Sequence, residues 1–328
     1  MKKIAVVILN WNGAQLLQQF LPSVLKYSNE ATIYVADNAS TDTSIDVLKS
    51  DFPTVKIIKN SGNFGFAKGY NAALTGVNEP FYALINSDIE VTANWLDAPL
   101  RLFDAEADVA IIQPKILDFK RKNYFEYAGA AGGFIDRYGY PYCRGRLFDT
   151  IEKDTGQYND EQDLFWASGA CFFIRNLVFK KLNGFDSSFF AHQEEIDLCW
   201  RAFNTGYKIK YTSNSTVYHV GGATLNDLNP KKTYLNFRNS LVMLTKNLPK
   251  NQLVKVLFIR MVLDGVAGLR FIFKGKFNHC AAIIQAHFSF YTKVFTIIKN
   301  RTGIKKQNYY RSKSIILIYF FKNGKVFE

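Results

Sequence analysis

The sequence predicts an α/β protein built on a largely parallel sheet, and three observations carry that prediction. Short apolar runs alternate with segments of helical period through the first ninety or so residues. The runs close on polar residues, and none leads into a G-x-G-x-x-G or Walker loop. From Lys246 onward the pattern changes to helical apolar spacing interrupted by bases.

Taken in order, the run Ile4–Leu9 reads as a buried strand that ends at Asn10-Trp11-Asn12-Gly13. Leu16, Leu17, Phe20, Leu21, Val24 and Leu25 then recur at helical spacing. Thr32–Ala36 is a second strand, ending at Asp37-Asn38, and Ser40-Thr41-Asp42 resembles a cap for a helix around Ile45–Leu48. Val55–Ile58 is a third strand, followed by the polar loop Asn60–Gly65 and a helix over Ala67–Leu74. Phe81–Ile85 is a fourth, ending at Asn86-Ser87-Asp88. In open parallel sheets ligands sit beyond the carboxyl ends of the strands, so Asn10, Asp37, Asn63 and Asp88 mark a site from topology alone. The middle third, residues 110–245, is more irregular and aromatic.

Charge is distributed unevenly. The chain of 328 residues carries net +13. Residues 246–328 hold sixteen Lys and Arg against Asp264 and Glu328, a net of +14, which leaves the first 245 residues at −1. A near-neutral body with a basic C-terminal region predicts an anionic partner, lipid or nucleic acid. In that region Val254, Leu257, Phe258, Met261, Val262 and Gly265 recur at helical spacing with Lys255, Arg260 and Arg270 among them, a pattern that suits a lipid interface and matches no nucleic-acid module. The longest uncharged stretch, Phe277 to Thr292, is too short and too polar to span a bilayer, and the N-terminus reads as carrying no signal peptide. Cys143, Cys171, Cys199 and Cys280 form no C-x-x-C pair, which fits a reducing compartment.

Several polar groups carry chemistry. Asp88 after an apolar strand suits a hard cation whose remaining ligands are water and phosphate, although capping the next turn is its commoner use. Asp37 at its strand end could accept hydrogen bonds from a base or ribose, with turn formation as the alternative. The loop 60–65 and Lys68 could bring N–H groups and a cation to phosphates. On a helix opening at Glu194, Asp197 and Arg201 form an i,i+4 pair, while Glu195 shares a face with Leu198, Cys199 and Ala202. A carboxylate on an apolar stripe is a general-base candidate, because burial raises its pKa; a first-turn acid favoured by the helix dipole is the competing role. His219, before Gly221-Gly222, reads as a metal ligand, a phosphate contact or a structural histidine.

Seven segments, VVILNWNG (6–13), VADNASTD (35–42), NSGNFGFAKGYNAAL (60–74), YALINSDIEV (82–91), WASGACFFIR (166–175), GFDSSFFAHQEEIDLCWRAFNTGYKI (184–209) and YHVGGATL (218–225), together resemble the family 2 glycosyltransferases of the GT-A fold, in particular the rhamnosyltransferase-like branch of bacterial cell-surface polysaccharide synthesis. The resemblance implies a GT-A nucleotide-sugar-binding mixed sheet flanked by helices over 1–245, with a basic, membrane-associating helical region over 246–328. It implies an inverting transfer of rhamnose or another hexose from a nucleotide-diphosphate donor to a glycan or lipid-linked acceptor. Asn10, Trp11 and Asp37 would line the base and ribose pocket, and Asn63, Lys68, Asn71 and Asn86 would lie along the donor. Asp88 would take the place of the metal-binding carboxylate of a degenerate D-x-D motif, with His219 assisting, so that Mg²⁺ or Mn²⁺ is the implied cofactor. Glu195 falls where the family has its catalytic base, with Glu194 beside it. The Gly-, Tyr- and Phe-rich stretch Tyr124–Phe148 is assigned to the acceptor side. The implied location is cytoplasmic, peripheral on the inner face of the plasma membrane, with no nucleic-acid partner. A nucleotidyltransferase would carry a glycine-rich loop after the first strand, where this chain has Asn10-Trp11-Asn12. A non-catalytic glycan- or nucleotide-sugar-binding protein would have no need of Asp88, Glu195 and His219 together.

Overall fold

A computed structural model describes residues 2–221, 229–303 and 305–327. The first 86 residues form β1 (Ile4–Asn10), α1 (Ala14–Tyr27), β2 (Ala31–Asp37), α2 (Ser44–Asp51), β3 (Lys56–Lys59), α3 (Gly65–Leu74) and β4 (Phe81–Asn86). These strands are parallel in the order β4-β1-β2-β3, with Leu9 opposite Asn86 and Asn10 opposite Asp37. Pairing in that register brings Asn10, Asp37 and Asn86 level at one sheet edge. β1 reads as a continuous apolar run because both of its faces are covered. Ile4, Val6 and Ile8 pack with Leu17, Leu21 and Val24 of α1, while Ala5 and Val7 pack with Tyr70 and Leu74 of α3.

The chain continues through β5 (Ile89–Val91), α4 (Asp97–Ala105) and β6 (Val109–Asp118). A small antiparallel sheet follows: β7 (Gly133–Ile135), β8 (Pro141–Cys143), β9 (Arg146–Leu147) and β10 (Thr150–Ile151). Then come β11 (Glu161–Leu164), β12 (Cys171–Arg175), α5 (Asn176–Lys181), α6 (Glu194–Asn204) and β13 (Lys208–His219). The large sheet runs β11-β13-β6-β12-β4-β1-β2-β3, and β5 pairs antiparallel with β13. It is mixed because β12 inserts antiparallel between β4 and β6.

The C-terminal helices are α7 (Pro230–Asn247), α8 (Lys250–Phe273), α9 (Phe277–Tyr291), α10 (Val294–Lys299) and α11 (Ile315–Phe321). The boundary expected after residue 245 falls in the last turn of α7, whose Leu241, Met243 and Leu244 are fully buried in the core. Beyond α10 the chain returns to the small sheet. Tyr309 Oη donates to the Arg137 carbonyl at 2.7 Å, Ile315 N donates to Asp136 Oδ2 at 3.0 Å, and the Phe327 ring packs 5.2 Å from that of Phe134. The stripe expected on α8 divides in two. Leu257 is buried and Met261 half-buried, whereas Val254, Phe258 and Val262 face outward together with Val266, Leu269 and Phe273. No helix among the described residues is long and apolar enough to cross a membrane.

Candidate active site

The loops after β1 and β2 are laced together by short polar side chains. Asn10 Nδ2 donates to Asp37 Oδ1 at 3.1 Å and to Ser40 Oγ at 3.2 Å, and Ser40 N donates to Asp37 Oδ2 at 3.0 Å. Thr41 N donates to Asn12 Oδ1 at 2.7 Å, and Ala14 N at the start of α1 donates to Asp42 Oδ2 at 3.0 Å. Asp42 therefore caps α1 as well as accepting from Ser44 N at 3.0 Å ahead of α2. Gly13 is needed because a Cβ there would stand 2.4 Å from Asn10 Oδ1. That oxygen is buried and accepts no hydrogen bond, while the Trp11 indole beside it is half-exposed. The two loops are thus tied together around a buried acceptor that has no partner, with Trp11 exposed next to it in sequence.

The loop before α3 closes the next side. Gly65 N donates to Asn63 Oδ1 at 3.0 Å, so the Asn63 side chain shapes the loop. At Gly65, φ is +69°, and a Cβ would stand 2.3 Å from the Phe190 carbonyl, which joins this loop to the segment ahead of α6. Lys68 is exposed on the first turn of α3, its Nζ 4.0 Å from the Phe64 ring centroid. Asn71 is committed elsewhere. Its Nδ2 donates to the Phe185 carbonyl at 2.7 Å and its Oδ1 accepts from Phe185 N at 2.9 Å, so both ends of the amide hold the 184–187 loop.

Asp88 and His219, far apart in sequence, meet because β5 pairs with β13 and sets Ile89 opposite His219. Asp88 Oδ1 lies 3.1 Å from His219 Nε2, and Glu126 Oε1 lies 3.2 Å from His219 Nδ1; all three side chains are nearly sealed from solvent. Asn86 Nδ2 is 3.4 Å from the same Nε2. Burial alone would push the imidazole down, but Glu126 and Asp88 raise it to about 10. Burial pushes Asp88 up, and the bond and charge of His219 outweigh it and hold the carboxyl below its usual range. Glu126 was not legible in the sequence, since it sits in an irregular stretch without period. Residues 222–225 of the segment carrying His219 lie outside the described residues.

Among the described residues no three ligating side chains gather to hold a metal on their own. A carboxylate and an imidazole at one sheet edge nevertheless fit Mg²⁺ or Mn²⁺ arriving with a diphosphate, since such cations take phosphate and water as their other ligands. The Nε2 proton that faces Asp88 would have to leave on binding.

α6 begins after His192 and Gln193, whose φ values of 71° and 74° place consecutive side-chain-bearing residues in the left-handed region. Glu194 is buried, and its Oε2 has no partner. Glu195 Cδ lies 3.7 Å from where a Cβ on Gly169 would stand, and the next carbonyl, that of Ala170, accepts from Asn86 N at 2.9 Å. Glu195 is thus one strand away from the Asp88–His219 pair. Burial pushes Glu195 up to about 7, and burial plus the charge of Glu195 push Glu194 well above its usual range. Asp197, fully buried one turn on, goes the other way, to about 2. Burial opposes its charge, and Arg201 at 2.8 Å and Lys246 at 2.9 Å overcome that. The expected Asp197–Arg201 pair is present, and Lys246 joins it from α7.

The mixed sheet, with polar side chains gathered at the carboxyl ends of β1, β2 and β4, has the architecture of the GT-A glycosyltransferases. The chain belongs to glycosyl transferase family 2, whose model matches residues 5–182. It is 22% identical over 231 residues to the N-acetylglucosaminyl-diphospho-decaprenol L-rhamnosyltransferase of Mycobacterium tuberculosis, covering 66% of this chain and 75% of that one. It is 22% identical over 309 residues to the low-salt glycan biosynthesis hexosyltransferase Agl10 of Haloferax volcanii, covering 92% of each. Among solved structures, S. aureus TarS 1-349 in complex with UDP-GlcNAc gives a TM-score of 0.58 at 15% identity, covering 90% of this chain and 84% of that one. GalNAc-T7 with UDP, GalNAc and Mn²⁺ gives 0.60 at 16% identity, covering 76% of this chain and 49%, about half, of the other. These structural likenesses bear out the fold expected from the sequence, a mixed GT-A sheet flanked by helices.

Proposed function

We propose that the protein is an inverting, metal-dependent hexosyltransferase that moves rhamnose or a related sugar from a nucleotide-diphosphate donor to a lipid-linked or glycan acceptor at a membrane surface. The observation that supports this most strongly is Glu195, a carboxylate raised to about 7 and one strand from the Asp88–His219 pair. Asn10, Trp11 and Asp37 hold the base and ribose, and the loop carrying Asn63, with Lys68 and Asn86, faces the diphosphate. Asn71 keeps its place in the site by fixing the loop ahead of α6. In the reaction the Glu195 carboxylate accepts the proton of the acceptor hydroxyl while that oxygen bonds to the anomeric carbon. The bond from that carbon to the diphosphate oxygen breaks, its electron pair stays with the diphosphate, and the configuration inverts. Asp88 and His219 would hold a divalent cation, which when bound supplies neutralising charge to the leaving diphosphate. Glu194, buried beside Glu195 with Oε2 unpartnered, is itself held well above its usual range by burial and the charge of that neighbour.

Membrane attachment is the second part of the reading. The outward-facing Val254, Phe258, Val262, Val266, Leu269 and Phe273 of α8 are accompanied by Lys255, Arg270 and Lys274. Apolar residues beside bases suit the interface of an anionic leaflet. Fewer bases face lipid than the net charge implies: Lys246 pairs with Asp186 and Asp197, Arg260 with Asp264, and Arg301 donates to the carbonyls of Thr245 and Leu248.

The test is a screen of nucleotide sugars, with prenyl-diphosphate sugars as acceptors, for release of nucleoside diphosphate. Release with one donor class that stops in excess chelator is expected. Release undiminished by chelator, or release with no donor at all, would contradict the reading.

A further inference from the structure

We propose that Arg146, packed against the Tyr127 ring, forms a subsite for a phosphate of the acceptor, next to the sugar that receives the transfer. This rests on the assignment of the donor site and of Glu195 made above.

Arg146 opens β9 and is left without the partner a guanidinium ordinarily has. Its Nε is buried and bonds to nothing, and its Nη2 donates only to Cys143 Sγ at 3.4 Å, a weak acceptor. Among the described residues no carboxylate lies within ion-pair distance of it. Two residues earlier Arg144 shows the usual arrangement, paired with Asp160 at 2.5 Å and lying 4.6 Å from the Tyr158 ring centroid. Its guanidinium has no hydrogen-bonded carboxylate among the described residues, and its planar fork of donors matches phosphate geometry. The Arg146 guanidinium carbon lies 4.5 Å from the Tyr127 ring centroid, and that ring is 47% exposed, so the pair faces solvent at its rim.

Placement points to the acceptor. Tyr127 follows Glu126, which pairs with His219. The Cys143 thiol against Arg146 is pushed up by burial, eased by Arg146, and pushed up again by both Glu126 and Glu195. Arg146 stands against Cys143 and Tyr127, and Tyr127 adjoins the Glu126 that pairs with His219. It stands on the small sheet, whereas Asn10 and Asp37 end β1 and β2 of the large one. A diphosphate joining an acceptor sugar to a lipid would present its charge where Arg146 stands.

The experiment uses the full chain with farnesyl diphosphate and farnesol as probes. Binding is read by intrinsic tryptophan fluorescence, with whichever of UDP, GDP or dTDP the protein binds held at saturation. Wild type should bind farnesyl diphosphate at least tenfold more tightly than farnesol. Arg146→Ala should lose that preference, Arg146→Lys should keep part of it, and nucleotide affinity should stay unchanged in both. Arg146→Gln, with its melting temperature compared with wild type, serves if the alanine variant does not fold. A preference that survives Arg146→Ala and Arg146→Gln, or a wild type without preference, overturns the subsite. An equal loss of nucleotide affinity would assign the phosphate to the donor and overturn the acceptor assignment. A wild type that binds no nucleotide but keeps an Arg146-dependent preference would overturn the proposed donor chemistry and leave the anion subsite standing.

Discussion

The two halves of the large sheet hold their functional groups by different means. In the first half, residues 4–86 and the proposed donor side, neutral or singly charged short side chains tie loop to loop, as Asn10 to Asp37 and Ser40, and Asn12 to Thr41. In the second half, the proposed acceptor side, buried charges do this. Asp88, His219 and Glu126 form one chain, Asp197, Arg201, Lys246 and Asp186 a second, and Lys115 with Asp154 a third pair at 2.8 Å. Short hydrogen-bonded loops form wherever adjacent strands end together, so the loops after β1 and β2 are tied by local chain. Buried charges are stable only in company, and removing one member leaves the others uncompensated. Catalysis and stability should therefore be more sensitive to single substitutions, and to pH, in the second half.

The largest effect that would sharpen this contrast is at the junction of the halves. Asp88→Ala should lower nucleoside diphosphate release by about 10³-fold or more, the scale of losing several kcal/mol of charge stabilisation, while the circular dichroism spectrum is retained. Next is Asp197→Ala, which leaves Lys246 with Asp186 alone and Arg201 with only the Leu182 and Gly184 carbonyls, and should cost about 3 kcal/mol in urea unfolding. Asn12→Ala, which removes an exposed loop tie of the first half, should cost no more than about 1 kcal/mol in the same assay. Equal losses for the two would break the comparison. The pH profile is a third test. In the proposed mechanism Glu195 acts only as the carboxylate, and its pKa is raised to about 7, so kcat/KM should fall with unit slope as pH drops below that value. Asp197 is depressed to about 2, so its stabilisation is complete above the unfolded value near 4 and fades only as pH falls toward 2. Acid should thus silence the enzyme several pH units before it releases α6. The smallest effect concerns α8: Phe258→Glu should weaken flotation with anionic vesicles while shifting stability by no more than about 0.5 kcal/mol, because Phe258 is exposed.

The same contrast explains what could be read in advance. The run Ile4–Leu9 became β1 extended by one residue, and Thr32–Ala36 became β2 extended by one at each end. Local apolar period suffices where sequence order equals spatial order. β3 lies one residue later than Val55–Ile58, since Val55 is buried ahead of it and the ladder starts at Lys56. Nothing in Cys171–Arg175 tells that this strand runs antiparallel between β4 and β6, because an apolar run carries no direction. Asp88, Glu195 and His219 were visible as carboxylates or imidazole at element ends. Glu126 and Arg146 were not, because only long-range pairing of irregular segments carries them to the site. The charge of the C-terminal region was legible by counting, but not that Lys246, Arg260 and Arg301 are turned inward.

Turnover of Glu195→Gln measured beside Glu194→Gln tests the central claim most directly, with donor affinity followed in both. Glutamine keeps the size of the side chain but cannot take the proton. Glu195→Gln should therefore lower turnover about 10²–10⁴-fold and erase the acidic limb near pH 7, with donor binding unchanged. Glu194→Gln should cost far less. A larger defect in Glu194→Gln, or an acidic limb that persists in Glu195→Gln, would contradict the assignment of Glu195 as the base.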